Sequence, residues 1–250
     1  MFGTGNDAGG TSGKKRILIT SAENRLAEVI ATRLAEANNV RLTSTTEVQS
    51  TRPFTRSDLD HTGATDELVR GIDAIVHLAH APVGADGDAQ IDYCTRQTYN
   101  LLWAAAAQGV EKVVLLSSLE LLSAYDDTFE VTEDWRSAPS TDPAQVAVHL
   151  GEFSCREFAR EAKFNAIVLR LGKVVRAEEV SGKPHDPLWI DERDVAQAVQ
   201  GALETEFRGD PSSVGRWKVF HVQSDSRRAR FTSGRAKGAL GFAPQHFGDG

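Results

Sequence analysis

Arg16-Ile17-Leu18-Ile19-Thr20-Ser21-Ala22-Glu23-Asn24-Arg25-Leu26-Ala27 is the stretch that decides the fold. Its first five residues form a short apolar run rich in β-branched side chains, the pattern of a strand buried on both faces. Beyond it Leu26, Val29, Ile30, Leu34 and Ala35 recur at helical spacing with charges between them, so a helix follows the strand directly. The alternation then repeats. Strands are expected at Val40 to Thr45, Ala74 to Ala79, Val113 to Ser118, Ala166 to Arg170 and Trp217 to Val222. Helices are expected over residues 65–70, 91–108, 144–163 and 194–204. Such an order implies right-handed crossovers and an α/β, doubly wound parallel sheet covered on both faces.

The 250 residues suit one such domain, expected over 14–250, after a Gly- and Thr-rich leader at 1–13. A formal net charge of −7 argues against nucleic acid as partner. The basic groups Lys14-Lys15-Arg16 and Arg227-Arg228-Ala229-Arg230 read as solvated faces. Cys94 and Cys155 lack metal-ligand spacing and read as small buried hydrophobes. No apolar run approaches the ~20 residues of a membrane span, and the leader has no apolar core of a signal peptide. The expected place is the cytoplasm, with no membrane partner.

In order, Asp58-Leu59, Gly71-Ile72-Asp73-Ala74-Ile75-Val76-His77-Leu78-Ala79, Thr98-Tyr99-Asn100-Leu101-Leu102, Gly109-Val110-Glu111-Lys112, Ser117-Ser118, Val131-Thr132-Glu133-Asp134, Gly151-Glu152 and Leu169-Arg170-Leu171-Gly172 run along the chain. Together they resemble the NAD-dependent epimerase/dehydratase branch of the extended short-chain dehydrogenases. The tail, with Leu188-Trp189-Ile190, Val219-Phe220-His221-Val222 and Leu240-Gly241-Phe242, is similar to the uronate dehydrogenase group in particular. The resemblance implies a Rossmann-type fold with a small C-terminal substrate-side lobe over about 172–250. It also implies an NAD or NADP cofactor, a sugar-type ligand, and a homodimer formed through residues 91–108 and 144–163.

The functional motifs depart from that pattern. Relatives carry three glycines in the turn after the first strand, where this chain has Ser21, Asn24 and Ala27, and no glycine stands between Gly13 and Gly63. Asn24 is the replacement that best tolerates left-handed backbone. Glu23 places a carboxylate near the expected phosphate position, and Arg25 can pair with Glu23 or with phosphate. Ser44 stands where an Asp usually holds the ribose. By the same alignment Leu26, Asp58, Leu59, Leu78 and Ala79 complete the cofactor-binding set. Affinity for NAD or NADP is therefore expected to be weak or absent.

The catalytic Tyr-x-x-x-Lys of relatives is missing: anchoring on Gly151-Glu152 places Ala144 and Val148 there, a shift of one places Gln145 and His149, and anchoring on Pro139 places Pro143 and Ala147. The three tyrosines, Tyr93, Tyr99 and Tyr125, are followed four residues later by Gln97, Trp103 and Phe129. What remains is Ser118, the family's substrate-side hydroxyl, and His149 as an alternative base. Ser117, Arg170 and Lys173 are the candidate substrate contacts, the two cations suiting a carboxylate or phosphate. His77 and His80 sit at a strand tip without a third metal ligand, so no metal is expected. Two readings follow: a catalytically degenerate binding, scaffolding or regulatory protein with a protein partner, or an oxidoreductase or epimerase using Ser118 and His149. A metabolite sensor is a third.

Overall fold

The computed structural model describes residues 13–80, 84–207, 213–226 and 229–247. Residues 1–12 of the expected leader and the Arg227-Arg228 pair lie outside them. The chain runs β1 (Arg16–Ile19), α1 (Arg25–Leu34), β2 (Asn39–Ser44), β3 (Phe54–Arg56), α2 (Gly63–Val69), β4 (Ala74–Leu78), α3 (Gly87–Asp92), α4 (Thr98–Ala107) and β5 (Lys112–Ser118). Then come α5 (Pro143–Arg160), β6 (Asn165–Leu171), β7 (Lys173–Val175), β8 (Trp189–Asp191), α6 (Glu192–Glu204), β9 (Trp217–Val222) and α7 (Gly234–Leu240). One wider helical turn, Tyr93–Gln97, joins α3 to α4.

Seven parallel strands form one sheet in the order β3-β2-β1-β4-β5-β6-β9. The order reverses between β1 and β4, the point at which doubly wound sheets bind ligands beyond the strand ends. The central strands are apolar on both sides because both faces are covered. Ile17, Ile19, Val76, Leu116 and Leu169 pack with Leu26, Ile30 and Leu34 of α1 and Val195 and Val199 of α6. Leu18, Ile75, Val113 and Val168 pack with Leu101 of α4 and Ala147, Cys155 and Ala159 of α5 on the opposite face.

All six expected strands are present. The expected helix over 144–163 ends at Arg160, because Ala162 takes φ 57 and turns the chain into β6. The chain after Gly172 is less separate than a lobe. Its β9 extends the main sheet, and its α6 covers one face, while β7 and β8 form a two-stranded addition. A Cβ on Gly172 would collide with the Leu188 carbonyl, so glycine lets β6 turn tightly into β7. No helix among the described residues is long and apolar enough to cross a membrane.

Candidate functional site

The turn from β1 to α1 contains no glycine. Ser21 is the residue in left-handed backbone, at φ 55. That geometry costs a side-chain-bearing residue about 1 kcal/mol, so the neighbours must hold it. The Ser21 hydroxyl shares a 2.6 Å hydrogen bond with the Tyr93 hydroxyl, both buried, and lies 3.5 Å from the Leu78 carbonyl. Burial pushes the Tyr93 phenol well above its ordinary pKa, so it stays protonated. Asn24, a residue type that tolerates left-handed backbone, is an extended N-cap at φ −83, and its side chain accepts from the Leu26 N–H at 2.9 Å, so α1 has a plain capped start. The left-handed position falls at Ser21, four residues before α1 begins at Arg25.

The other cofactor-side residues are bonded to protein groups. Arg25 pairs with Glu179 at 2.5 Å and with the buried Glu192 at 2.7 Å, and not with Glu23. Glu23 accepts instead from the Ser44 hydroxyl, which also accepts from Thr46 N–H. Ser44 and Glu23 are thus tied to each other. Asp58 is exposed and pairs with Arg56 at 3.0 Å. Leu59 is buried at φ 45, with its carbonyl accepting from Asn100. Leu78 and Ala79 are buried, and the Cys94 thiol donates to the Ala79 carbonyl at 3.3 Å.

His77 is buried between Thr20 and Thr98, at 2.9 and 2.8 Å from their hydroxyls, and burial pushes its pKa down to about 3. It is a neutral core bridge between β1 and α4. His80 is exposed, and no group of three or more metal-ligating residues occurs among the described residues. Burial also raises both thiols, Cys94 to about 12, so each behaves as a buried hydrophobe.

Farther along the same sheet edge, Ser117, Arg170 and His221 stand side by side in register on β5, β6 and β9. Glu152 of α5 closes over them. It takes Arg170 through Nε at 2.9 Å and Nη2 at 2.8 Å, and the Ser117 hydroxyl at 2.6 Å. Both ionic partners are almost fully buried, so removing either would strand a charge. The Ser117 hydroxyl and two of the three Arg170 nitrogens are therefore held by Glu152, and only Arg170 Nη1 is left over. His221 is buried, and neither ring nitrogen has a hydrogen-bond partner among the described residues. Burial, then the Arg170 guanidinium, push its pKa down to about 3.

Ser118 and His149 do not meet. The Ser118 hydroxyl caps Glu120 N–H at 3.1 Å and lines a cavity of about 360 Å³ with Lys173, Asp186, Leu188 and Arg230. His149 bonds Ser137 at 2.8 Å and lines a separate cavity with Glu152, Arg170 and Trp217. The reason is helical geometry: His149 lies one position past Val148, which is buried, so its ring turns toward the edge strand. Lys173 and Arg170 part likewise, since Lys173 is exposed and paired with Asp186 at 2.7 Å. Glu152, His221 and Tyr93 were not foreseen. The first two become visible only when the strands are placed in register; no sequence signal marks Tyr93.

A family model of NAD-dependent epimerases and dehydratases matches residues 17–187. No curated protein matches the chain. Among solved structures, uronate dehydrogenase from Agrobacterium tumefaciens is similar at 22% identity, covering 94% of this chain and 85% of that one with TM-score 0.76. A glucuronic acid dehydrogenase from Chromohalobacter salexigens is 20% identical over 92% of this chain and 84% of its own, with TM-score 0.75. A short-chain dehydrogenase/reductase superfamily protein from Agrobacterium tumefaciens, solved with bound NAD, is 19% identical over 92% of each chain with TM-score 0.77. At these identities the structures establish the shared fold, and the match of the family model over residues 17–187 establishes descent: the chain belongs to the NAD-dependent epimerase/dehydratase family.

Proposed function

We propose that the protein is a binding or regulatory member of its family that does not carry out dinucleotide-dependent chemistry. One observation carries this reading: the groups that would meet a dinucleotide are bonded to one another. A pyrophosphate needs free N–H groups at a helix start. Here Asn24 occupies the Leu26 N–H, Glu23 binds Ser44, and Arg25 is held by Glu179 and Glu192. The Glu23 carboxylate would also repel the phosphates. These residues do not fit NAD or NADP. The absence of Tyr-x-x-x-Lys, and the separation of Ser118 from His149, support the same conclusion for hydride or proton transfer.

The cavity beside Ser118 is the natural place for a sugar-type ligand, whose hydroxyls would meet the Ser118 hydroxyl and the Lys173–Asp186 pair. A second copy of the chain fits the α4–α5 face, where Tyr99 and Trp103 are 44% and 50% exposed and stack with centroids 6.2 Å apart. Light scattering should give twice the chain mass, and a monomer for Trp103→Glu. A reducing, cytoplasmic setting suits the two free buried cysteines. The activity test is incubation with a uronate and NAD⁺ or NADP⁺ while nicotinamide reduction is followed. No turnover above a protein-free control is expected. Turnover that Ser118→Ala abolishes would overturn the proposal.

A further inference from the structure

A cavity of about 450 Å³ opens between α5, the edge strand β9 and residues 133–137, apart from the cavity that holds Ser118. Its size lies within the range of small-molecule sites. Three of its walls are flat: Trp135, Trp217 and Phe153, the last 49% exposed with the Arg156 guanidinium 5.1 Å above its ring.

The acids of this cavity are already committed. Glu152 is taken by Arg170 and Ser117, Asp134 by Arg235, and Glu133 faces Arg235 and the His221 N–H. Several donors are not. Arg170 is 5% exposed, and its Nη1, the nitrogen that Glu152 does not hold, is buried with no hydrogen-bond partner among the described residues. Arg136 is exposed and its guanidinium has no ion-pair partner among the described residues. His149 uses Nδ1 on Ser137, and its Nε2 has no partner among the described residues. A site with paired acids, unpaired donors and aromatic walls favours an anion carrying a flat ring.

We propose that this cavity binds a planar aromatic carboxylic acid, its carboxylate between Arg136, His149 and Arg170 and its ring against Trp135, Phe153 and Trp217. The site needs no dinucleotide and stands independently of the Ser118 cleft, so it survives if the reading of that cleft fails.

The test is calorimetric titration of the full chain with benzoate, its neutral isostere benzamide, and inorganic phosphate. Benzoate should bind saturably, with benzamide and phosphate each weaker by about tenfold or more. Arg136→Ala and His149→Ala should each weaken benzoate by about fivefold or more, while Lys183→Ala, on an exposed loop, should change nothing. Circular dichroism of each variant checks folding, and Arg136 is exposed, so its loss leaves the core untouched. Absence of benzoate binding to folded protein overturns the proposal. So does equal binding of benzamide, tighter binding of phosphate, or equal weakening by Lys183→Ala.

Discussion

The turn after β1 and the polar row at the ends of β5, β6 and β9 lie on the same edge of one sheet, yet they have used their polar groups differently. In the turn, Ser21, Glu23, Asn24 and Arg25 each have a protein partner. In the row, Glu152 satisfies two of the three Arg170 nitrogens and Ser117, and leaves Arg170 Nη1 and both His221 nitrogens over. Orphaned buried donors cost about 1–3 kcal/mol each, so a fold tolerates them where water or a ligand supplies the missing bond. The lesson is that two stretches on one sheet edge can differ in how completely the fold satisfies their polar groups. The turn's polar groups are paired within the protein, and the far side has kept unmet valence.

The largest effect should come from breaking the row. Glu152→Ala leaves the buried Arg170 charge unpaired and should cost about 3–5 kcal/mol in a urea unfolding series. A loss below about 1 kcal/mol would mean that the pair is solvated and the row is not buried as described. Next in size is a pH effect. His77 and His221 have folded pKa values near 3, against about 6.5 unfolded. Between those values the unfolded chain binds more protons. Their stabilisation is therefore complete above about pH 6.5 and is lost as pH falls toward 3, by about 1.4 kcal/mol per pH unit for each ring. Urea midpoints from pH 7 to 5 should fall accordingly, and His221→Asn should remove about half of the slope. An unchanged slope would place His221 in water.

The turn should respond more gently. Asn24→Ala deletes the cap of α1 and should cost about 1 kcal/mol. A neutral result would indicate that the helix start was not held by that side chain. Ser21→Gly should be the smallest change, under about 1 kcal/mol either way, because relief of left-handed strain offsets the lost bond to Tyr93. A large destabilisation would show that the Ser21–Tyr93 bond, and not backbone geometry, shapes the turn.

The strands and helices were legible because buried parallel strands and amphipathic helices carry their periods in the sequence: β1, β4, β5 and β6 and the helices between them follow the expected order. Short elements such as β3 and β7 were not, since three residues give no period. The absence of Tyr-x-x-x-Lys was equally legible, being a matter of composition at a spacing. Partner choice was not. Arg25 lies 154 positions from Glu179, and nothing local tells it from a phosphate ligand. His149 looked like a base because the residue type suits one, but the phase of α5 turns it away from Ser118.

The most direct test of the closed turn is calorimetry with NAD⁺, NADH, NADP⁺ and NADPH, run in parallel on the native chain and on a Ser21→Gly, Glu23→Ala, Asn24→Gly variant, at concentrations that detect millimolar binding. The account predicts no heat from the native chain and measurable binding by the variant, whose helix N–H groups are freed and whose acid is gone. Tight binding of any of the four to the native chain would contradict it.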